Sequence, residues 1–317
     1  MALPSVTDVQ SVDVVLTNLL VAYEQADTRF VASKVFPVVN VEKDSGSYYI
    51  FTPKYWHASL MEPRAPGARF PRGDFGVTTG TYATLQFGLE KAIPDEVRAN
   101  SQLPADLEAS AVRWLAQQSL LKKEIAWATD FMITSYWNNT TDGTETGKFS
   151  DLIASDPVGD FDTAKRAVNV NTGYIPNTAV MGQIVEDRLR NHPDIIDRLK
   201  YVQMATAANL QSGLGAVFGI SNWLVSSAMY NSANLGQDAS NAAIIDDDLL
   251  ICYVDPNPGI WTASAGYTFA WSGAGGAGAI DRYRDEPAKS DVVRSQEQWD
   301  QAAVADELGY FYLDCTD

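Results

Sequence analysis

A few residues in this 317-residue chain have types and spacings that chemistry could use. Gly273, Gly275 and Gly278 match the letters of a dinucleotide-binding glycine pattern. That pattern works by starting a helix whose N-terminus faces a pyrophosphate. Here Pro287 arrives nine residues after Gly278, and too little sequence follows to complete a βαβ unit, so the glycines read as a flexible turn. Asp246, Asp247, Asp248 and Asp255 offer oxygens for a hard cation. They lack the alternating ligands and closing Glu of a calcium loop, and read as a solvated approach to a strand. His57 lies beside Trp56, and His192 sits in NHPD; neither has a metal-ligand partner at helical spacing. His192 is expected to pack locally or cap a turn between helices. Cys252 falls in an apolar, β-rich run and is expected to be a buried, inert thiol. No nucleophile-elbow serine and no phosphate-cradling Gly-Lys-Ser/Thr loop occurs. Spacing singles out no pair among the 40 acids. The expectation is a protein with no catalytic group, no metal and no cofactor.

The composition narrows the classes further. The two distant cysteines, Cys252 and Cys315, exclude a disulfide scaffold and a Cys-rich zinc site. A 46% hydrophobic, 11% aromatic chain has ample material for a core. A net charge of −17 argues against gripping nucleic acid, which needs clustered Lys and Arg. The opening MALPSVTDVQ has no basic run and no early apolar run, so it does not read as a signal peptide. Residues 201–237 carry no charge, yet Asn209, Gln211, Ser212, Ser221 and Asn222 interrupt them. They read as a buried helix and strand, not as a membrane span. The opposite anomaly lies in 51–75, where Lys54, Arg64, Arg69 and Arg72 outnumber Glu62 and Asp74. Pro53, Pro63, Pro66 and Pro71 forbid helix and a central strand there. Such a loop is either a solvated surface feature or an arm lying on an acidic neighbour such as another copy of this chain.

The elements around these residues follow from pattern. Residues 1–40 are expected to form a short helix near 14–23 and then an extended arm. Residues 47–52 and 76–92 read as two strands flanking the basic loop, a long hairpin-like protrusion. The strongest helix signal runs over 104–137, with Pro104 in its first turn and Leu107, Val112, Leu115, Ile125 and Met132 on one face. At 1.5 Å per residue such a rod is about 50 Å long. A helix is expected over 161–170 with Asp160 as its cap. An α/β-like block then follows: a strand at 178–181, helices at 183–191, 193–200 and 205–218, and a strand at 223–230. Further strands are expected at 249–254, 266–271, 290–295 and 309–313.

At NTAVMGQIVEDRLRNHPDIIDRLKYV (177–202) the chain resembles the major capsid proteins of tailed bacteriophages, which share the Hong Kong 97-type fold. LGAVFGISNWLVSSAMYN (214–231) is similar to a helix, turn and strand of the same family. The resemblance implies an α+β fold with an N-arm at 1–40 and an extended loop with flanking strands at 41–95. It implies a peripheral domain with a spine helix at 96–159, an axial domain at 160–280, and return strands of the peripheral domain at 281–317. It implies a structural protein that self-assembles, as hexamers and pentamers, into an icosahedral head shell around double-stranded DNA, in the virion and built in the host cytoplasm. Partners would be other copies, a portal, a decoration protein and a separate scaffolding protein, the last favoured by the initial Met. DNA would be enclosed without sequence-specific binding, and no membrane is involved. For the contacts between subunits, the charge map nominates Lys54, Arg64, Arg69 and Arg72 against acids of a neighbour's spine helix such as Glu108 and Glu124. Two alternatives stand beside this reading: an encapsulin-like nanocompartment shell, and an acidic α/β enzyme using the turn near Gly275.

Overall fold

The computed structural model describes residues 25–51, 56–100, 104–143, 147–200, 210–234, 236–259, 262–274 and 278–317. The helix expected near 14–23 lies outside them. From residue 25 onward the N-terminal segment is built into the body, which corrects the expectation of an extended arm through residue 40. Phe30, Val31, Ala32, Val35 and Phe36 are all buried. A short helix α1 (Ala32–Val35) delivers Phe36 edge-on to Trp127, with ring centroids 5.9 Å apart, and against Phe131 at 4.7 Å. Apolar area of this size has no reason to stay in water when a pocket of aromatic rings is at hand.

Strand β1 (Val38–Val41) follows, then β2 (Ser45–Phe51) and β3 (Val77–Ala83), which pair antiparallel and flank the basic loop as expected. Tyr48 and Tyr82 of this ribbon stack on Phe269, with centroids 5.5 and 4.6 Å away. The returning strand does not continue unbroken to residue 92. It stops pairing at Thr84, and the chain resumes as β4 (Leu85–Pro94) in a different sheet. Helix α2 (Asp95–Asn100) leads to the 28-residue α3 (Pro104–Phe131), about 42 Å long at 1.5 Å per residue. It ends six residues short of the expected 137. The Trp137 indole N–H donates to the Phe131 carbonyl at 2.7 Å, so Trp137 folds back on the last turn and closes one of its open acceptors.

After β5 (Asn139–Asp142), α4 (Pro157–Thr172) begins earlier than expected. Its cap is Asp156, which accepts from the Gly159 amide at 3.0 Å, and not Asp160; Pro157 fills the first-turn position. Strand β6 (Thr178–Gly182), α5 (Gln183–Asn191) and α6 (Pro193–Lys200) fall where the pattern placed them. Then come α7 (Leu210–Phe218), β7 (Asn222–Ser226), β8 (Met229–Asn231), β9 (Asn241–Ala243), β10 (Leu249–Cys252) and β11 (Gly266–Trp271). The glycine-rich turn opens with a single 3-10 turn (Ser272–Ala274), and the chain continues as strand β12 (Ala279–Asp285); among the described residues no α-helix starts there. The 14-residue β13 (Ser290–Ala303) and then β14 (Gly309–Leu313) close the fold.

Two sheets organise these elements. In one, β13 pairs antiparallel with β4 along one side and with β12 and β11 along the other, and β1 joins β11 in parallel. The other has the order β5-β14-β10-β6-β7. Its strands β6 and β10 are buried throughout, and the main core gathers around it together with Trp127, Phe131, Phe161 and Phe218. A smaller core of Ile93, Ala111, Leu115 and Val293 seals α3 on the first sheet. This corrects the expected division at two places. β14 does not return to the peripheral sheet, and β5 does not belong with the spine; they pair with each other inside the sheet of the 160–280 block.

Candidate intersubunit surface

Between β2 and β3, every residue from 56 to 75 is exposed. Prolines and the left-handed Gly67 (φ 84°) keep the chain extended and turning, so it makes no sheet of its own. The turn at 64–68 is closed by Arg64, whose guanidinium donates to the Ala68 carbonyl at 2.8 Å and lies 4.5 Å over the Phe70 ring. Trp56 and Phe75 meet at 5.9 Å where the loop leaves the body. Met61 and Phe70 present their side chains to solvent, Met61 at 95% exposure. Arg69 and Arg72 are exposed and form no ion pair among the described residues. Lys54 lies outside the described residues. The surface therefore unites cationic and apolar groups on a limb that leaves them without burial in its own subunit.

The acids nominated as their partners fare differently. Glu108 is half-buried on α3 and already engaged, accepting from Arg98 at 2.8 Å and from Arg282 at 2.9 Å. Glu124 is corrected outright: it is fully buried, and a neighbour's arginine cannot reach it. Its carboxylate accepts from the backbone amides of Val31 at 2.9 Å and Ala32 at 2.8 Å and from the Ser226 hydroxyl at 3.0 Å. Burial pushes its carboxyl up, and the three donors oppose that. Glu124 thus ties together the N-terminal segment, the long helix and the end of β7.

Pattern reading also missed an ion-pair network behind Glu108. Asp291 of β13 receives Arg98, Arg282 and Arg284, and Arg284 also reaches Asp95 at 2.5 Å. Arg98 first, with Arg282 and Arg284, holds the Asp291 carboxyl below the usual carboxylate range. The signal was an RYRD alternation on β12 facing SD at the start of β13, which only the register makes visible. Beside it, a cavity of about 260 Å³ opens between β4, α3 and β13, lined by Phe87, Leu115, Lys122, Glu297 and Trp299 among others. Its single carboxylate, Glu297, is taken by Ser119 at 2.5 Å and Lys123 at 2.9 Å.

The remaining sequence candidates resolve as structure. His192 is buried, accepts weakly from the Asp194 amide at 3.4 Å, and sits 3.1 Å from the Ser155 hydroxyl, the packing role expected of it. The Cys252 thiol is buried in β10, and burial pushes it up to about 12. The aspartate run is not simply solvated: Asp248 accepts from the Asp314 amide at 3.1 Å, and burial raises its carboxyl to about 6. Among the described residues no cluster of three or more His, Cys, Asp or Glu is placed to hold a metal ion, and no helix is long and apolar enough to cross a membrane.

This arrangement of a spine helix, a long-stranded outer sheet, an exposed loop and a second sheet is the Hong Kong 97-type capsid fold. The capsid protein of Cyanophage P-SCSP1u superposes with a TM-score of 0.61 at 13% identity, covering 93% of this chain and 90% of that one. A phage-related protein from Bordetella bronchiseptica RB50 superposes with a TM-score of 0.72 at 25% identity, over 92% of this chain and 93% of that one. In sequence, the chain is 27% identical over 311 residues to the major capsid protein of Burkholderia phage BcepMu, covering 94% of this chain and 95% of that protein. No protein-family model matches it.

Proposed function

We propose that this chain is the major capsid subunit of a tailed bacteriophage, and that its copies assemble into the closed shell that encloses the genome. One observation carries the reading: the end-to-end sequence similarity to a phage major capsid protein, on a chain with the matching fold. The physics agrees. A shell is held by large contact area from repeated, individually weak interfaces. A limb such as 56–75, with arginines and apolar side chains left in water, finds burial only on another body. In this reading Lys54, Arg64, Arg69 and Arg72 contact an adjacent subunit, where Glu108 of α3 could receive them only by sharing its carboxylate with Arg98 and Arg282. The subunits form hexamers and pentamers in the virion, assembled in the host cytoplasm with a separate scaffolding protein, a portal and a decoration protein. The role is structural and not catalytic. The net charge of −17 suits a container whose wall must not adsorb a polyanion during filling and ejection.

Negative-stain microscopy of the purified chain tests the proposal. Hollow, uniform particles are the expected result. A chain that stays monomeric across protein concentration, salt and added scaffolding protein would overturn it.

A further inference from the structure

Two apolar patches lie at opposite ends of α4, and each leaves much of its apolar surface exposed in its own subunit. At the N-terminal end, Ile153 is 97% exposed and Leu152 is exposed beside it. This is not a loose loop. Asp151 Oδ1 accepts from the amides of Ile153 at 3.0 Å and Ala154 at 3.2 Å. The Ser155 hydroxyl donates to the Asp151 carbonyl at 2.5 Å and meets the buried His192. On the other flank, buried Phe149 donates its amide to the Cys315 carbonyl at 2.7 Å. The turn is therefore held from both sides while its two largest apolar side chains face water. At the C-terminal end, Val170 is 72% and Ile175 64% exposed, with Tyr174 between them tilted against Tyr253, ring centroids 4.9 Å apart. The reversal at Gly173 (φ 77°) and the hydrogen bond its N–H donates to the Asn169 carbonyl fix that end too. The 16-residue helix separates the patches by about 24 Å.

The groups beside them differ in charge: carboxylates border the first patch, and an arginine borders the second, with Asp162 a further turn back held by Lys165. Asp151 and Asp156 border the first patch, and both are exposed. The amides of Ile153 and Ala154 hold the Asp151 carboxyl low, so it is ionised at neutral pH. Arg166 lies one turn before Val170 on the same helical stripe, exposed and without an ion pair among the described residues. Two different, complementary patches on one chain make a head-to-tail contact, which closes into a ring where the rotation between neighbours closes and otherwise runs on as a filament. A single self-matching patch would instead make a two-fold dimer.

We propose that the occupant of each patch is a second copy of this chain. Leu152 and Ile153 of one subunit seat against Val170, Tyr174 and Ile175 of the next, with Arg166 of that subunit meeting Asp151 and Asp156. The contact repeats around a closed ring of subunits. The inference rests on the shell reading above and adds to it a specific contact, separate from the basic loop. Because both patches are already ordered in the free subunit, little side-chain or loop entropy is lost on docking.

Ile153→Asp and Val170→Asp test it, since each places a charge in one patch and leaves the other intact. Both positions are exposed, so each variant should melt with the wild type; should either melt lower, Ile153→Ser and Val170→Ser replace them. Each variant alone should give at least about tenfold fewer particles than wild type by microscopy and sedimentation, because a buried unpaired carboxylate costs more than that factor. An equimolar mixture should contain dimers, because the intact turn of one variant meets the intact platform of the other. Wild-type yields of particles from either variant, or a mixture no larger than its parts, would overturn the contact while leaving the shell reading in place. Failure of the wild-type chain to form particles would instead overturn the shell reading, and this contact with it.

Discussion

Glu124 shows how much one side chain can carry. It is a fully buried carboxylate in the middle of α3, with no cation bonded to it, and it is held by two backbone amides and one hydroxyl from segments far away in sequence. Glu124→Ala would leave those donors unpaired in the core. The expected loss is about 3 kcal/mol of subunit stability, read by denaturant unfolding of unassembled protein. Glu124→Gln should lose less but not nothing, because half of its amide is a donor facing donors. Pattern reading places Glu124 on a surface because a glutamate in an amphipathic helix normally faces water. Its partners at Val31 and Ala32 lie more than 90 residues away, and no local signal announces them. Asp248 makes a prediction of a different kind. Burial raises its carboxyl from the ordinary 3.8 to about 6, so the folded chain holds this proton more tightly than the unfolded chain does. Its contribution to stability is full below about pH 4 and is lost as the pH rises toward 6. Asp160, also raised to about 6 by burial, acts in the same direction. Asp151 and Asp317, whose carboxyls are held low, act oppositely and weaken the fold only at more acid pH. Asp248→Asn should therefore flatten the fall in melting temperature between pH 4 and pH 7, measured by scanning calorimetry.

Single elements were most legible where punctuation and periodicity agree. NHPD separates α5 from α6 because Pro193 can start a helix but cannot continue one, and both ranges follow from that. The aromatic-rich runs GYTFAW and GYFYL mark β11 and β14, and both strands are buried almost throughout. The misses have physical causes. The end of α3 depends on a side chain returning to cap it, an event with no helical-period signature. β13 looks too polar to be a central strand. Its buried Asp291, Glu297 and Gln298 are tolerated because arginines, Lys123, Ser119 and Thr84 meet them. The segment 30–41 looks like an arm because it is too short to show a period, yet its Val31, Ala32, Val35 and Phe36 enter the main core. Phe36→Ala measures that directly. A core phenylalanine packed on Trp127 and Phe131 should cost about 4 kcal/mol on truncation, read by thermal or chemical unfolding. An arm that only wraps a neighbour would leave the unassembled subunit unchanged.

For the whole molecule, the sequence exposed the limb but not the frame. The surplus of Arg and Pro in 51–75 is local and visible, so the protrusion followed from it. The pairing of β5 with β14 joins residues some 170 positions apart, and neither strand has a pattern that names its partner. That is why no local pattern could assign the C-terminal strand to the sheet of β5 and β10. The limb makes its own prediction. Arg69→Glu combined with Arg72→Glu should leave the melting temperature of the free subunit unchanged, since both side chains are exposed and neither forms an ion pair among the described residues. Shell yield should fall, and added salt should weaken wild-type assembly in the same direction. Normal shells from the double variant would remove these arginines from the contact.

The Thr84 break matters for a reason that has nothing to do with recognition. Below it, the chain runs straight into β4, which is matched to β13 over ten consecutive residues from Leu85 to Pro94. If a swelling container drags on the limb, tension passes along the axis of β4. The rungs between the two strands are then loaded sideways and together, and do not peel one at a time. The projection is moored like a rope spliced along its length, so rising internal pressure should tear the grip on the neighbour before it uproots the limb from its own body.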